Sequence, residues 1–195
     1  STDYYGGGRR FPIPYSNAIV AVEAETGGVA WHFQTVRHDL FDYDLVGHPL
    51  LVTIEKDGEP QEVAVLQTKM GWLFVFDRDT GEPIWPIEEM PTHETNIPED
   101  EASPTQPVPT LPVAFASQKI DRDDLFGLTP FDKAWCQAEF DKMRYEGLYT
   151  PPDFREALLF PSALGGGNWG GAAFDPGSNT LIIKAENLAS RLRFE

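Results

Sequence analysis

Directly after an apolar, strand-like segment that ends on Trp31, the sequence places His38, Asp39, Asp42 and Asp44 within seven residues. Carboxylates this close repel one another, so one of them gives up its charge unless a cation or a set of donors holds the group together. General bases and metal ligands arise in this way. Asp and His in a turn also cap backbone amides, and composition alone leaves the two accounts level. A second candidate is Lys69, alone between the apolar segments that end at Leu66 and begin at Trp72. Lysine is rarely buried without a partner, so by itself it reads as a turn residue in water. The third is the run Gly165 to Gly171, five glycines around Asn168 and Trp169. Such a run lets backbone approach a flat ligand, with an amide to hydrogen-bond and an indole to stack. It lacks the Gly-Lys-Ser/Thr ending of a phosphate loop.

These residues sit on a repeat. Ala21 to Trp31 and Val75 to Trp85 share the pattern apolar-x-acid-x-x-Thr-Gly-x-x-x-Trp, 54 residues apart. Each copy predicts a strand (17–22 and 72–76), a tight turn with Gly27 or Gly81 at positive φ, and a second strand ending on the Trp. A degenerate third copy runs from Ala173 to Ile183 without the Trp. Repeats of this size indicate propeller blades, and a chain with about three of them buries its faces only against neighbours. A small sandwich with two similar hairpins is the competing architecture.

The acidic, proline-rich stretch over about 86–115 predicts an extended surface loop. Residues 132–145 carry Trp135, Ala138, Phe140 and Met143 near helical spacing and predict the one helix, with Asp132 as N-cap, Gly147 near its end and an aromatic stripe for packing. The expected fold class is all-β: propeller blades, one short helix and long loops.

Thirteen Phe, five Trp, six Tyr, 17 Gly and 17 Pro favour short strands with frequent turns. The 15 basic and 31 acidic residues give a net charge of −16, which repels phosphate backbones and anionic membranes and disfavours nucleic acid as a partner. The lone Cys136 excludes an internal disulfide and a thiolate-rich metal site and reads as a buried structural thiol. No run is apolar enough to span a membrane, and the N-terminal residues lack the basic and apolar regions of a signal peptide.

Taken in order, these elements resemble the PQQ-dependent quinoprotein dehydrogenases, especially the membrane-type glucose and quinate dehydrogenase branch (PQQ is pyrroloquinoline quinone). The Thr-Gly-x-x-x-Trp copies are similar to that family's tryptophan-docking motif, in which the Trp of one blade packs on the next. The run from Trp31 to Asp44 is similar to a family signature, with Arg37 where a second His is common and Phe41 where Trp is common. Ser103 to Pro107 and Met143 to Asp153 resemble segments of the same branch.

Carried over residue by residue, the resemblance makes Asp42 the general base that takes the substrate hydroxyl proton and Lys69 the donor to the quinone oxygens. Asn168 and Trp169 match an Asn-Trp pair near the PQQ ring. Asp44 matches a position that in some relatives helps hold a larger cation. Lys184 stands where many relatives carry an Asn.

The resemblance further implies PQQ and Ca²⁺ or another cation as cofactors, a sugar, polyol or alcohol as substrate, and a periplasmic setting. Family members form an eight-bladed ring and have roughly three times this length, so the chain is expected to be a segment of one domain, residues 1–195. Its exposed blade edges are then expected to self-associate. A propeller-like scaffold that has lost its cofactor is the alternative function, and retention of Asp42, Lys69, Asn168 and Trp169 together weighs against it.

Overall fold

A computed structural model describes residues 4–9 and 13–195. Residues 1–3, on which part of the N-terminal reading falls, lie outside the described residues. In chain order the strands are β1 (Ala18–Val22), β2 (Val29–Gln34), β3 (Leu50–Lys56), β4 (Glu59–Gln67), β5 (Leu73–Asp77), β6 (Ile87–Pro91) and β7 (Thr105–Pro109). A 3-10 turn (Arg122–Asp124) and helix α1 (Pro130–Phe140) follow, then β8 (Ala157–Leu159), β9 (Ala172–Asp175), β10 (Thr180–Ile183) and β11 (Ser190–Leu192).

Every strand pair among the described residues is antiparallel: β1–β2, β3–β4–β5, β6–β7, β8–β11 and β9–β10. The first and third repeat copies are the hairpins β1–β2 and β9–β10. In the second, β5 pairs back on β4, and its return segment makes only a single bridge, Phe76 to Pro83.

The turns of the second and third copies share a physical cause. In the second copy, Asp77 Oδ1 accepts hydrogen bonds from Thr80 N (2.8 Å), Thr80 Oγ1 (2.9 Å) and Asp79 N (3.0 Å). Gly81 then turns at φ 73°. In the third, Asp175 accepts from Gly177 N and Ser178 Oγ. An acid that caps the turn and a residue tolerant of positive φ are what such a hairpin requires.

The core sits around β4 and β5. Val63 through Gln67 and Leu73 through Phe76 are buried on both faces, the pattern of a sheet sandwiched between neighbours. One face packs Ala64, Leu66, Phe74 and Phe76 against Ile19, Trp31, Phe33 and the aromatic loop residues Phe41, Tyr43 and Tyr149. The other packs Val63, Val65, Leu73 and Val75 against Trp85, Phe115, Leu181 and Ile183. Trp31 thus leaves its own hairpin for the turn of the next copy, as the docking motif implies, while Trp85 packs on β4 and β5.

Three expectations need correction. The proline-rich stretch is no simple loop, because β6 and β7 pair in register from Ile87–Pro109 to Pro91–Thr105. A two-stranded ribbon tolerates Pro91, Pro107 and Pro109 because a proline nitrogen, which has no proton to donate, can face outward. The helix starts at Pro130 with Thr129 as N-cap, and Asp132 is the third helical residue, closing the capping box back to Thr129. It stops at Phe140 because Arg144 is drawn into backbone pairing with Glu156 and Leu158. No helix residue is buried and Trp135 is 63% exposed, so the stripe packs chiefly at its end, where Phe140 meets Tyr145 edge-on at 5.9 Å. Cys136 is half-buried rather than buried.

Candidate active site

The loop after β2 is fastened before it reaches its acids. Thr35 donates through N (2.8 Å) and Oγ1 (3.1 Å) to Asn17 O. Gln106 on β7 clamps the backbone of Arg37 from both sides, accepting from its N–H (2.8 Å) and donating to its carbonyl (2.7 Å). The Arg37 guanidinium spans both carboxylate oxygens of Glu89 on β6 at 2.6 and 2.7 Å, and this pair pulls the Glu89 carboxyl below its usual range. The His-to-Arg departure from the family signature therefore has a local partner.

The four-residue acidic cluster divides into two jobs. His38 and Asp39 are buried. His38 Nε2 lies 3.3 Å from Asp100 Oδ1. Asp39 accepts from Asn17 Nδ2 (2.8 Å) and Phe41 N (2.9 Å), and burial raises its pKa despite these donors. These two hold the loop. Beyond them the chain alternates: Phe41 and Tyr43 point into the core, stacked at 5.7 Å, and the Tyr43 hydroxyl donates to Pro161 O at 2.8 Å. Asp42, in the left-handed region at φ 60°, and Asp44 fall on the other side. With Tyr15, Ser16, Asn17, Ala18 and Leu45 they line an open cleft of about 370 Å³.

Lys69, on the β4–β5 connection, reaches Asp42 and Asp44 from behind the cleft wall and does not itself line the cleft. It is 5% exposed, which overturns the reading of a turn lysine in water. Its ammonium donates to Asp44 Oδ1 at 2.5 Å, to the Asp42 carbonyl at 2.8 Å and to Asp42 Oδ2 at 3.3 Å. A buried ammonium is tolerated when each N–H finds an acceptor and opposite charge is adjacent.

The lysine's own backbone is fixed. Thr68 Oγ1 bridges the turn to Trp72, and Gly71 takes φ 85°. Gly166 N donates to Lys69 O at 2.6 Å, while a Cβ on Gly165 would lie 2.7 Å from Lys69 Cα. Gln118, which the sequence did not single out, donates to Met70 O at 2.8 Å.

The glycine run is therefore pressed first against the lysine turn. Asn168 is held there by Gln67 Nε2, which donates to its carbonyl at 2.7 Å. Its side chain folds into its own loop, donating to Leu164 O and accepting from Trp169 N at 2.7 Å. The Trp169 indole is 79% exposed. Lys184 is exposed and paired with Glu186. Asp42, Asp44 and Lys69 are thus gathered at one point, with the Asn168–Trp169 loop anchored beside the lysine through backbone contacts. Gln106 and Gln118 are supporting residues whose roles sequence reading did not find, since a hydrogen-bond partner far along the chain leaves no local signal.

The whole chain, residues 1–195, matches the family model described as "PQQ: Glucose/ethanol/alcohol dehydrogenase, beta-propeller domain". The chain belongs to this family. It is 40% identical over 185 residues to a quinate/shikimate dehydrogenase (quinone) of Acinetobacter baylyi, covering 94% of this chain and 23% of that protein. To a quinoprotein glucose dehydrogenase of Gluconobacter oxydans it is 41% identical over 176 residues, 89% of this chain and 22% of that one. Both fit the glucose and quinate branch. The quinohemoprotein alcohol dehydrogenase of Comamonas testosteroni superposes with a TM-score of 0.54 at 21% identity, covering 92% of this chain and 21% of that chain, which places the layered sheets in the β-propeller fold.

The chain thus spans less than a quarter of these relatives' length, a smaller share than the third expected. No helix among the described residues is long and apolar enough to cross a membrane. The family implies PQQ, and a buried ammonium held against the two carboxylates that line the cleft is a cation suited to the quinone end of that molecule. Among the described residues no three His, Cys, Asp or Glu side chains gather to hold a metal by themselves.

Proposed function

We propose that this chain carries the proton-accepting and quinone-facing side of a PQQ-dependent dehydrogenase that oxidises a hydroxyl of a sugar, polyol or alcohol. The observation that carries the reading is the meeting of Lys69 with Asp42 at the cleft, from segments 27 residues apart in sequence. Both belong to the motifs that resemble the family's active site.

PQQ, when bound, supplies a quinone that accepts a hydride from the substrate carbon. Asp42 acts as general base: its carboxylate reaches the cleft, and it takes the proton of the hydroxyl being oxidised. Lys69 keeps a desolvated positive charge where the quinone oxygen gains negative charge, in a turn already fixed before reaction, so little reorganisation opposes it. Trp169 offers an exposed indole face for stacking, and Asn168, whose amide is bonded within the loop, holds the loop in shape and keeps one N–H to donate to the cofactor. The loop residues Asp39 and Gln106 hold Asp42 in place without touching the substrate.

The same reading makes residues 1–195 about three blades of an eight-bladed ring in a periplasmic enzyme. Exposed apolar positions on the outer hairpin, such as Val22 and Val29, are then blade faces that self-associate when neighbouring blades are missing.

The test is to supply PQQ and Ca²⁺ to the purified full-length protein and follow cofactor absorbance and dye reduction with glucose, quinate and simple alcohols. Retention of PQQ together with substrate-dependent reduction is expected. A protein that retains no PQQ sinks the proposal.

A further inference from the structure

The resemblance gives Asp44 to a larger cation, but the shortest contact Asp44 makes is to Lys69. Of the three acceptors around the Lys69 ammonium, Asp44 Oδ1 is nearest at 2.5 Å, the Asp42 carbonyl lies at 2.8 Å, and the Asp42 carboxylate is farthest at 3.3 Å. An ammonium has three protons, so these contacts use its whole donor capacity. Neither end of the Asp44–Lys69 contact drifts easily. Asp44 follows Tyr43, which is fully buried and tied to Pro161. The Lys69 backbone is pinned by Gly166 and crowded by Gly165.

We propose that Asp44 is the positioning residue of Lys69: its carboxylate is the counter-ion that holds the ammonium at the cleft, and the long contact to Asp42 is the one Lys69 can redirect. Without Asp44, a desolvated cation has one paired carboxylate left among the described residues, that of Asp42. Lys69 then swings onto the very carboxylate that serves as base. Asp44 in this role protects Asp42 by occupying its competitor. The proposal rests on the reading of the site above in treating Asp42 as the base; the counter-ion role itself does not require PQQ.

The experiment is a double-mutant cycle of Asp44→Ala and Lys69→Ala in the full-length protein, with Asp44→Asn as a variant that keeps an acceptor and the shape. The urea midpoint of the apoprotein is measured first, then PQQ affinity by absorbance, then Tb³⁺ affinity by luminescence as a cation probe. A counter-ion predicts strong non-additivity: the double variant is no less stable than Lys69→Ala alone, and the two losses in PQQ affinity, each about tenfold, do not multiply. Asp44→Asn should recover part of the loss, while Tb³⁺ affinity stays within about twofold of the parent.

Additive effects in the cycle overturn the proposal. So does a Tb³⁺ affinity that falls about tenfold or more in Asp44→Asn, which would return the residue to a cation. If the parent takes up no PQQ while the apoprotein cycle is non-additive, the cofactor reading fails and the counter-ion assignment is upheld.

Discussion

The indole of Trp31 lies directly over Gly81, so that a Cβ on that glycine would sit 2.5 Å from the ring. The same indole donates through Nε1 to Arg78 O at 3.1 Å and packs 5.8 Å from Phe76. The Trp of the first repeat copy therefore reads the turn of the second, and the motif's Gly answers two demands at once. Gly27, its counterpart in the first copy, has a nearly identical φ of 71°, against 73°, but nothing within 4 Å of a Cβ. The pair separates backbone strain from crowding. Gly27→Ala should cost about 1 kcal/mol for the left-handed conformation alone. Gly81→Ala should cost about 1–3 kcal/mol more, from displacing the ring. Urea unfolding of the two variants measures the difference, and equal losses would show that the indole yields freely.

Acid should separate the turn aspartates from the buried one. Hydrogen bonds from the Thr80 backbone and hydroxyl hold Asp77 below its ordinary pKa of 3.8, and Ser178 with Gly177 does the same for Asp175. A carboxyl depressed on folding contributes stability that is present above the unfolded value and lost as pH falls through the folded one. Asp39 has the opposite sign: burial lifts its folded pKa above 3.8, so its contribution to stability declines as pH rises through that window. Urea midpoints taken from pH 3 upward should show Asp77→Asn flattening the acid limb. Asp39→Asn should gain on the parent protein as pH rises. Parallel curves for all three proteins would refute both assignments.

The two features most legible in the sequence, the repeat and the signature around Asp42, are those in which local spacing carries the information. The turn of the second copy announces itself through an acid, a Thr and a Gly in fixed order, because Asp77 caps amides only two and three residues on. The alternation of Phe41, Asp42, Tyr43 and Asp44 has the same local character. Lys69 was misjudged from its neighbours alone, since what buries it comes from residues 42–44 and 165–166. The β6–β7 ribbon was hidden by its prolines, and the helix boundary by pairing of Arg144 with a distant strand. Tertiary contacts decided these cases against local propensity.

Gly165 is the position where the glycine run should prove sensitive through Lys69. It takes φ 78°, and a Cβ would collide with Lys69 at Cα, Cβ and Cγ within 2.7 Å. Gly165→Ala should therefore destabilise the fold by about 2–4 kcal/mol and, in the protein that does fold, displace the lysine turn. PQQ affinity should then fall by about tenfold or more. Gly170→Ala, where a Cβ meets nothing within 4 Å, is the control and should leave both quantities close to the parent. If Gly165→Ala binds PQQ normally, the run does not govern the lysine.

The base assignment is open to one sharp substitution. Asp42 sits at φ 60°, a conformation that Asn also tolerates well, so Asp42→Asn changes charge and basicity while sparing the backbone. Its carbonyl, which accepts from Lys69 at 2.8 Å, is untouched by the change, and the Asp44–Lys69 pair remains. PQQ should accordingly stay bound. Turnover in the full-length protein should drop by about 10²–10⁴, the range expected for loss of a positioned general base. Activity within a few-fold of the parent would remove Asp42 from that role. Loss of PQQ together with activity would instead make its carboxylate part of the cofactor's binding site.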